Sequence, residues 1–209
     1  MSDLDDTLIA RELRHYGVSP DAALCEKIRV YTSLLLKWNR TISLTTVTDP
    51  IGILRFHFGE SFFAASAVPI AHGRLADVGS GAGFPGLALR LLLPELDVTL
   101  IESNVKKSAF LSEAVSSLDL DRVTVFRGRM DELPESSRRF EFITARALGH
   151  FDELLSWAQP RLAAAGALVL WVGEEDAANV SRASGWSWRK PIRIPRSERR
   201  TLLIGSPKR

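Results

Sequence analysis

The chain has a single cysteine, Cys25, and no apolar run long enough to cross a bilayer. One thiol cannot form an intramolecular disulfide, and such scarcity is typical of proteins in a reducing compartment. A transmembrane helix needs about 20 apolar residues in succession. The first residues are acidic and lack the layout of a signal peptide. We therefore predict a soluble cytoplasmic protein with no membrane partner.

The short spacings of metal ligands are also lacking. The four histidines stand far apart in the sequence: His15, His57, His72 and His150. Zinc sites usually place ligands two to five residues apart, so no metal is expected. His57 lies between two phenylalanines, and we interpret it as a structural histidine rather than a catalyst.

Acidic residues are nearly absent from the C-terminal segment. Residues 182–209 contain nine Lys or Arg and one acid, Glu198, which gives +8 in a chain of net charge +2. The other residues therefore carry −6. Such asymmetry suggests an anionic partner, most commonly a polyphosphate backbone. The alternative is a solvated basic surface on ordinary strands.

Two regions of different periodicity follow one another. Residues 4–71 have a mostly helical pattern, including a helix start at Asp49-Pro50. The apolar face of one helix comprises Leu24, Ile28, Tyr31, Leu35 and Trp38. We predict an N-terminal helical extension, residues 1–71, packed on a core formed by residues 72–209.

From residue 74 short apolar runs alternate with helical patterns. The runs predict strands over residues 75–78, 98–102, 123–127, 140–144, 168–172, 186–194 and 201–205. Helices are predicted over residues 86–93, 106–118 and 151–162. This alternation is typical of an α/β fold with a parallel sheet covered on both faces. The last two runs are close together, so we expect a hairpin that places one antiparallel strand in the sheet.

A glycine-rich turn, DVGSGAGFPG, occupies residues 77–86 between the first predicted strand and a helix. Such a turn lets a ligand approach the backbone, and the helix N-terminus offers unpaired N–H groups. The turn therefore predicts a site for a nucleotide-like ligand. Its sequence fits two different ligands.

Gly81, Gly83 and Gly86 satisfy the dinucleotide fingerprint GxGxxG. The turn also has an acid, Asp77, followed by glycines at alternate positions that include Gly79, as in S-adenosylmethionine (SAM) sites. A carboxylate there attracts the cationic amino end of SAM and repels a pyrophosphate. The sign of this charge favours SAM over NAD.

Other candidate side chains follow the strands, where open α/β sheets bind ligands. Glu102 ends the second strand and can accept hydrogen bonds from ribose hydroxyls. Met130 and Asp131 follow the third strand and can contact adenine, although a helix cap is the alternative for Asp131. Phe84 either covers the cofactor or packs on the helix start. Arg146, after a buried strand, suits an anionic or base substrate, with a surface ion pair as the alternative.

Residues that several methyl-transfer reactions need are absent. Methylation of carbon 5 of a pyrimidine needs a nucleophilic cysteine, whereas Cys25 lies in the predicted helical region. Methylation of an exocyclic amine usually uses an Asn/Asp-Pro-Pro-aromatic loop, but residues 144–149 read TARALG. Guanine N7 carries an in-plane lone pair and needs only alignment with the methyl group. The residues present fit that kind of acceptor.

Together these segments resemble the bacterial ribosomal RNA small subunit methyltransferase G family, also called glucose-inhibited division protein B. The motifs are LKWNRTISLT at residues 36–45, DVGSGAGFPG at 77–86, GRMD at 128–131 and ARA at 145–147. The resemblance implies the class I SAM-methyltransferase fold, a Rossmann-like, mostly parallel sheet of seven strands.

The resemblance further implies methyl transfer from SAM to N7 of a guanine in 16S ribosomal RNA, free or in the 30S subunit, by a monomer. It implies SAM contacts from Gly79, Phe84, Met130, Asp131 and Arg146, and places Glu102 near the ribose. Arg146 would also act as the catalytic residue, between cofactor and guanine.

Two other functions stay open at this point. The GxGxxG pattern would suit an NAD-dependent oxidoreductase. A non-catalytic RNA-binding or ribosome assembly factor could retain the cofactor fold, and this chain has Val172-Gly173 where the family often has Lys-Gly.

Overall fold

A computed structural model describes residues 4–135, 139–147 and 149–208. The N-terminal region consists of α1 (Asp6–Arg14), α2 (Ala22–Asn39), α3 (Pro50–Ile53) and α4 (Glu60–Ala67). The last two are joined by a π-helical segment, Leu54–Gly59, so that residues 50–67 form one continuous helical rod. Within the described residues, no helix is long and apolar enough to span a membrane.

Aspartates begin these helices. Asp5, Asp21 and Asp49 each accept a hydrogen bond from the backbone N–H three residues later, at 2.7, 2.7 and 2.6 Å. Such caps satisfy N–H groups that a helix start leaves unpaired. The helix start predicted at Asp49-Pro50 is confirmed. The predicted face of α2 is also confirmed, since Leu24, Ile28, Tyr31 and Leu35 are buried and Trp38 packs against the same core.

The remainder of the chain alternates strands and helices around one sheet. The strands are β1 (Gly73–Val78), β2 (Leu96–Glu102), β3 (Val123–Arg127), β4 (Phe140–Arg146), β5 (Leu162–Gly173), β6 (Trp186–Trp188), β7 (Ile192–Arg193) and β8 (Arg200–Pro207). The helices are α5 (Gly86–Leu92), α6 (Val105–Ser117), α7 (Phe151–Arg161) and α8 (Glu174–Val180).

The sheet has the order β3-β2-β1-β4-β5-β8-β6, with β7 paired to β8. Strands β1 to β5 are mutually parallel, and β8 runs antiparallel to β5 and to β6. The five parallel strands and the single antiparallel strand are therefore confirmed. The predicted strand 186–194 is divided into β6 and β7, which makes eight strands in the described part of the chain instead of seven. Helix α8 was not predicted.

Strand order reverses beside β1, because the chain moves from β1 outward to β3 and then returns to β4 on the other side. In open α/β sheets the ligand crevice lies at such a point, beyond the carboxyl ends of the strands. One core cluster joins the N-terminal helices to one face of the sheet through Tyr31, Phe58, Leu87 and Phe110. The N-terminal helical region thus packs directly on one face of the sheet, beside this crevice. The domain boundary at residue 72 stays a prediction.

Candidate active site

The glycine turn follows β1 and has left-handed backbone at three glycines. Gly79, Gly81 and Gly83 have φ values of 71°, 55° and 81°. Residues with a Cβ rarely adopt this region of φ and ψ, so the three glycines are what allows the chain to form this turn. The hydroxyl of Tyr31 on α2 donates to the carbonyl of Ala82 at 2.6 Å. The N-terminal helical region therefore supports the turn from behind.

Asp77 lies beneath the turn and not on the crevice. Its side chain is fully buried, accepts from the Thr144 hydroxyl at 2.8 Å, and accepts from the Gly86 amide at 3.1 Å. Burial raises the pKa of this carboxyl to about 6. The predicted direct contact with the amino end of SAM is not supported, because Asp77 has no exposed surface. Its hydrogen bonds instead tie the turn and the start of α5 to β4.

Glu102, at the end of β2, does reach the crevice. One carboxylate oxygen accepts from the Gly81 amide at 2.8 Å, and the other accepts from the Asn104 amide at 2.8 Å. Each oxygen retains a second lone pair. The carboxylate is thus held in place while it can still accept hydrogen bonds from a ligand.

A cleft of about 1090 Å³ opens where the predicted residues converge. One side, here called the glycine wall, comprises residues 79–82, Phe84 and Glu102. The other, the arginine wall, comprises His57, Glu60, Arg146, Arg196, Arg199 and Arg200. Gly83 lies behind the turn against Tyr31 and is not part of the lining.

Met130 and Asp131 do not line this cleft. They form a single 3₁₀ turn after β3, in which Asp131 is exposed and pairs with Arg129 at 3.3 Å. Met130 is half-buried against the core cluster on the opposite face of the sheet. The structure therefore places the two residues beside the β2 end and outside the cavity, and their predicted contact with adenine stays a prediction.

Arg146 is the most deeply buried cation of the arginine wall. Its side chain is 10% exposed, and one terminal nitrogen lies 3.4 Å from the Glu60 carboxylate. The other terminal nitrogen, Nη1, is buried without a hydrogen-bond partner among the described residues. Burial lowers the pKa of Arg146 to about 10, which leaves it charged at neutral pH. A buried guanidinium with an unused donor is suited to an acceptor supplied by a ligand.

Two buried acids hold Arg200 and Arg196 of the arginine wall. Glu60, 1% exposed, accepts from Arg200 at 2.7 Å as well as facing Arg146. Glu12 on α1 accepts from Arg55 at 2.6 Å and from Arg196 at 3.0 Å. The hydrogen bond from Arg55 lowers the pKa of Glu12. The N-terminal region thus fixes the basic segment before β8 at two points.

His57 lies where the two walls meet. Its ring stacks on Phe84 with centroids 4.8 Å apart, and Phe84 also stacks on Tyr31 at 5.2 Å. Burial, and secondarily the charge of Arg146, lowers the pKa of His57 to about 3, so the ring is neutral. The interpretation of His57 as structural rather than catalytic is consistent with this neutrality. Its position on the cleft was not predicted.

Glu60 and Thr45 were also missed as cleft residues. The signal for Glu60 was its place three residues after His57, which puts both on one side of a helix. Thr45 belongs to the LKWNRTISLT motif, whose side chains had no assigned role.

Comparison with solved structures shows which class of proteins shares this fold. A ribosomal protein L11 methylase from Lactobacillus delbrueckii subsp. bulgaricus aligns with a TM-score of 0.60 at 14% identity, over 74% of this chain and 80% of that one. The glycopeptide N-methyltransferase MtfA aligns with a TM-score of 0.57 at 13% identity, over 72% and 90%. The chain has the class I methyltransferase fold.

Sequence relatives identify the family. The pattern of the family described as rRNA small subunit methyltransferase G matches residues 24–186. The ribosomal RNA small subunit methyltransferase G of Roseiflexus sp. (strain RS-1) is 35% identical, over 94% of this chain and 89% of its own. That of Halorhodospira halophila is 41% identical, over 78% and 76%. The chain belongs to the rRNA small subunit methyltransferase G family, and the resemblance inferred from its motifs is confirmed.

Proposed function

We propose that this protein transfers a methyl group from SAM to N7 of a guanine in 16S ribosomal RNA. The observation that carries the proposal is a single cleft in which a glycine turn with a fixed acid, Glu102, faces a buried arginine with an unused donor, Arg146. Membership of the family supplies the reaction class and the type of RNA. The protein would act in the cytoplasm, as a monomer, on free RNA or on the 30S subunit.

The residues of the glycine wall fit SAM. The backbone of Gly79 and Gly81 carries no Cβ toward the cleft, and a carboxylate with free lone pairs stands beside it at Glu102. In this proposal Glu102 accepts from the ribose hydroxyls, and Phe84 borders the cofactor. When bound, SAM supplies a methyl group on a positively charged sulfur. Met130 and Asp131 would reach adenine from the adjoining strand end.

The arginine wall fits a nucleic acid. Arg196, Arg199 and Arg200 lie on the cleft within the strongly basic C-terminal segment, and phosphates are bound by such groups. Because Glu12 and Glu60 pair with Arg196 and Arg200, these cations are held in position before any RNA arrives. Arg146 lies deeper and would contact the base.

A neutral His57 is compatible with this chemistry. Transfer to guanine N7 uses a lone pair that is already available, so no residue has to remove a proton before the step. Alignment of the base and exclusion of water then account for the rate. In this proposal Arg146 holds the base, and the stacked rings of His57, Phe84 and Tyr31 form a rigid boundary.

The proposal is tested with tritiated SAM and 30S subunits from a strain that lacks this methylation. Label should enter 16S RNA and be recovered as 7-methylguanosine after nuclease and phosphatase digestion. Subunits from a strain that already carries the modification provide the matched control and should take up no label. SAM binding without transfer to either free RNA or subunits would contradict the proposal, as would label in any other nucleotide.

A further inference from the structure

The segment that carries the LKWNRTISLT motif is fixed by its own side chains. Trp38 donates from its indole nitrogen to Glu113 on α6 at 3.0 Å, which anchors the end of α2. The Asn39 amide oxygen accepts from the backbone N–H groups of Leu44 and Thr45 at 2.8 and 3.0 Å. Its amide nitrogen donates to the Thr45 carbonyl at 2.8 Å. The motif therefore holds the backbone of Thr45 at the cleft.

The Thr45 side chain joins a row of hydrogen bonds that begins at Arg146. A terminal nitrogen of Arg146, Nη2, lies 3.4 Å from Nδ1 of His57, and Nε2 of His57 lies 2.7 Å from the Thr45 hydroxyl oxygen. The same hydroxyl oxygen accepts from the Val47 amide at 3.0 Å. The His57 ring and the Val47 amide thus both contact one hydroxyl group, and Arg146 contacts the other nitrogen of His57.

We assign the direction of each bond from Arg146, although the Phe56 backbone carbonyl also hydrogen-bonds the His57 ring. A guanidinium can only donate, so in this assignment Nδ1 of His57 accepts and the neutral imidazole carries its proton on Nε2. Nε2 consequently donates to the Thr45 hydroxyl. With His57 and Val47 both donating, the two lone pairs of that oxygen are used. The hydroxyl proton of Thr45 is left to donate, and Thr45 is half-buried in the lining of the cleft.

The residues that line the cleft therefore present two donors at the two ends of this network, the Thr45 hydroxyl and Nη1 of Arg146. The matching ligand group is an acceptor. On the edge of guanine that carries N7, the other acceptor is O6, whereas adenine has an amino group at that position. N7 has to keep its lone pair free for the methyl group, which leaves O6 as the atom to be held.

Resting on the proposed transfer to guanine N7, we infer that the Thr45 hydroxyl donates a hydrogen bond to O6 of the target guanine and so discriminates against adenine. His57 acts as a positioning residue that fixes the direction of the hydroxyl. This gives the motif around Thr45 a role in substrate recognition in addition to packing.

The inference is tested with Thr45→Val, which keeps the branched shape and removes the hydroxyl, and with Thr45→Ser, which keeps the hydroxyl. Loss of one such hydrogen bond should lower kcat/KM for the 30S subunit by roughly fivefold to tenfold in Thr45→Val. Thr45→Ser should retain most of the wild-type value. SAM affinity, measured by calorimetry, should be the same in all three proteins.

If SAM affinity in Thr45→Val fell by as large a factor as kcat/KM, the hydroxyl would lie at the cofactor, and the inference would be overturned. A Thr45→Val variant with the wild-type kcat/KM, or a Thr45→Ser variant as impaired as Thr45→Val, would also overturn it. A wild-type protein that binds SAM but transfers no methyl group would instead overturn the proposed function, together with the inference that rests on it.

A second readout does not depend on methyl transfer. Nitrogen NMR of histidine-labelled full-length protein at neutral pH reports which ring nitrogen carries the proton, and a His57→Asn variant identifies the His57 signals. The inference expects a neutral ring protonated on Nε2. A proton on Nδ1 would overturn it, because Thr45 would then have to donate to His57.

Discussion

The two walls of the cleft are built in different ways. The glycine wall comes from one short stretch of chain and the end of the next strand, and backbone groups make up much of its surface. The arginine wall brings together the π-helical segment, the start of α4, β4 and the segment that leads into β8, which are far apart in sequence, and Glu12 on α1 holds Arg196. The glycine wall depends on local sequence, because it is a backbone turn. The arginine wall depends on two buried carboxylates, Glu12 and Glu60, that form ion pairs with arginines from distant segments of the chain.

The largest effect on stability is expected from Glu60→Gln, a change in the arginine wall only. This change leaves the buried Arg146 and the half-exposed Arg200 without their shared carboxylate. Removing one partner of a buried ion pair costs about 3–5 kcal/mol, so the free energy of unfolding should fall by about 3 kcal/mol in urea denaturation. Glu26→Gln, which removes an exposed partner of Arg29, is the matched control and should cost less than about 1 kcal/mol. Equal losses in the two variants would refute a special role for Glu60.

Beneath the glycine wall, the buried Asp77 should make the stability of the protein depend on pH. Its folded pKa is about 6, above the ordinary 3.8, so the folded state binds more protons than the unfolded state between these values. Stability from this carboxyl is therefore greatest below pH 4 and is lost as the pH rises to about 6.

Asp77→Asn removes that titration. The difference in unfolding free energy between wild type and variant should shift in favour of the variant by up to about 3 kcal/mol between pH 4 and pH 7. Urea denaturation at several pH values measures this difference. A difference that stays constant with pH, or shifts toward the wild type, would show that Asp77 ionises as an ordinary carboxyl.

Glu102→Ala should lower the affinity for SAM more than it lowers the stability of the fold. Hydrogen bonds to a charged acceptor contribute about 1.5–3 kcal/mol, so SAM affinity should fall by roughly tenfold or more in calorimetry. Glu95→Ala, which removes an exposed acid paired with Arg122, is the control and should leave SAM affinity unchanged. If Glu102→Ala bound SAM as tightly as the wild type, the predicted contact with the ribose would be wrong.

The smallest effect is expected from Arg199→Gln on the arginine wall. Loss of one phosphate contact should weaken binding of the 30S subunit modestly and reduce the slope of log affinity against log salt by about 1. Filter binding at several salt concentrations measures the slope, and SAM affinity should not change. Arg122→Gln, on an exposed pair at the other end of β2, is the control. A fall in SAM affinity equal to the fall in subunit affinity would contradict the separation of the two walls.

The same contrast between local sequence and long-range contacts explains which elements the sequence predicted correctly and which it did not. Strands β1 to β5 and the helices between them were found because each has a clear apolar periodicity. Helix α8 was missed because its sequence, EEDAANV, is short and polar and directly follows a strand. The run 186–194 was predicted as one strand, but Lys190 and Pro191 fall between β6 and β7, and proline cannot donate to a strand ladder.

At the site, sequence reasoning located the glycine wall and misplaced some of its side chains. Asp77 is the next-to-last residue of β1 and Glu102 the last residue of β2. The first carboxyl is buried against Thr144 and Gly86, whereas the second faces the cleft. The sequence does not fix the exact end of each strand, and so it did not predict which carboxyl reaches the cleft. The roles of Glu60 and His57 were missed because they depend on contacts with Arg146 and Arg200 across the fold, and that of Thr45 because it depends on contact with His57.

In our proposal, cofactor and RNA meet in the cleft between the glycine wall and the arginine wall. A crystal structure of the full chain with S-adenosylhomocysteine would show where the cofactor binds. We expect ligand density along residues 79–81, with ribose hydroxyls on the Glu102 carboxylate and Arg146 beside the amino-acid end. Density in the separate cavity of about 520 Å³ between α7 and α8, with the glycine turn left empty, would contradict it.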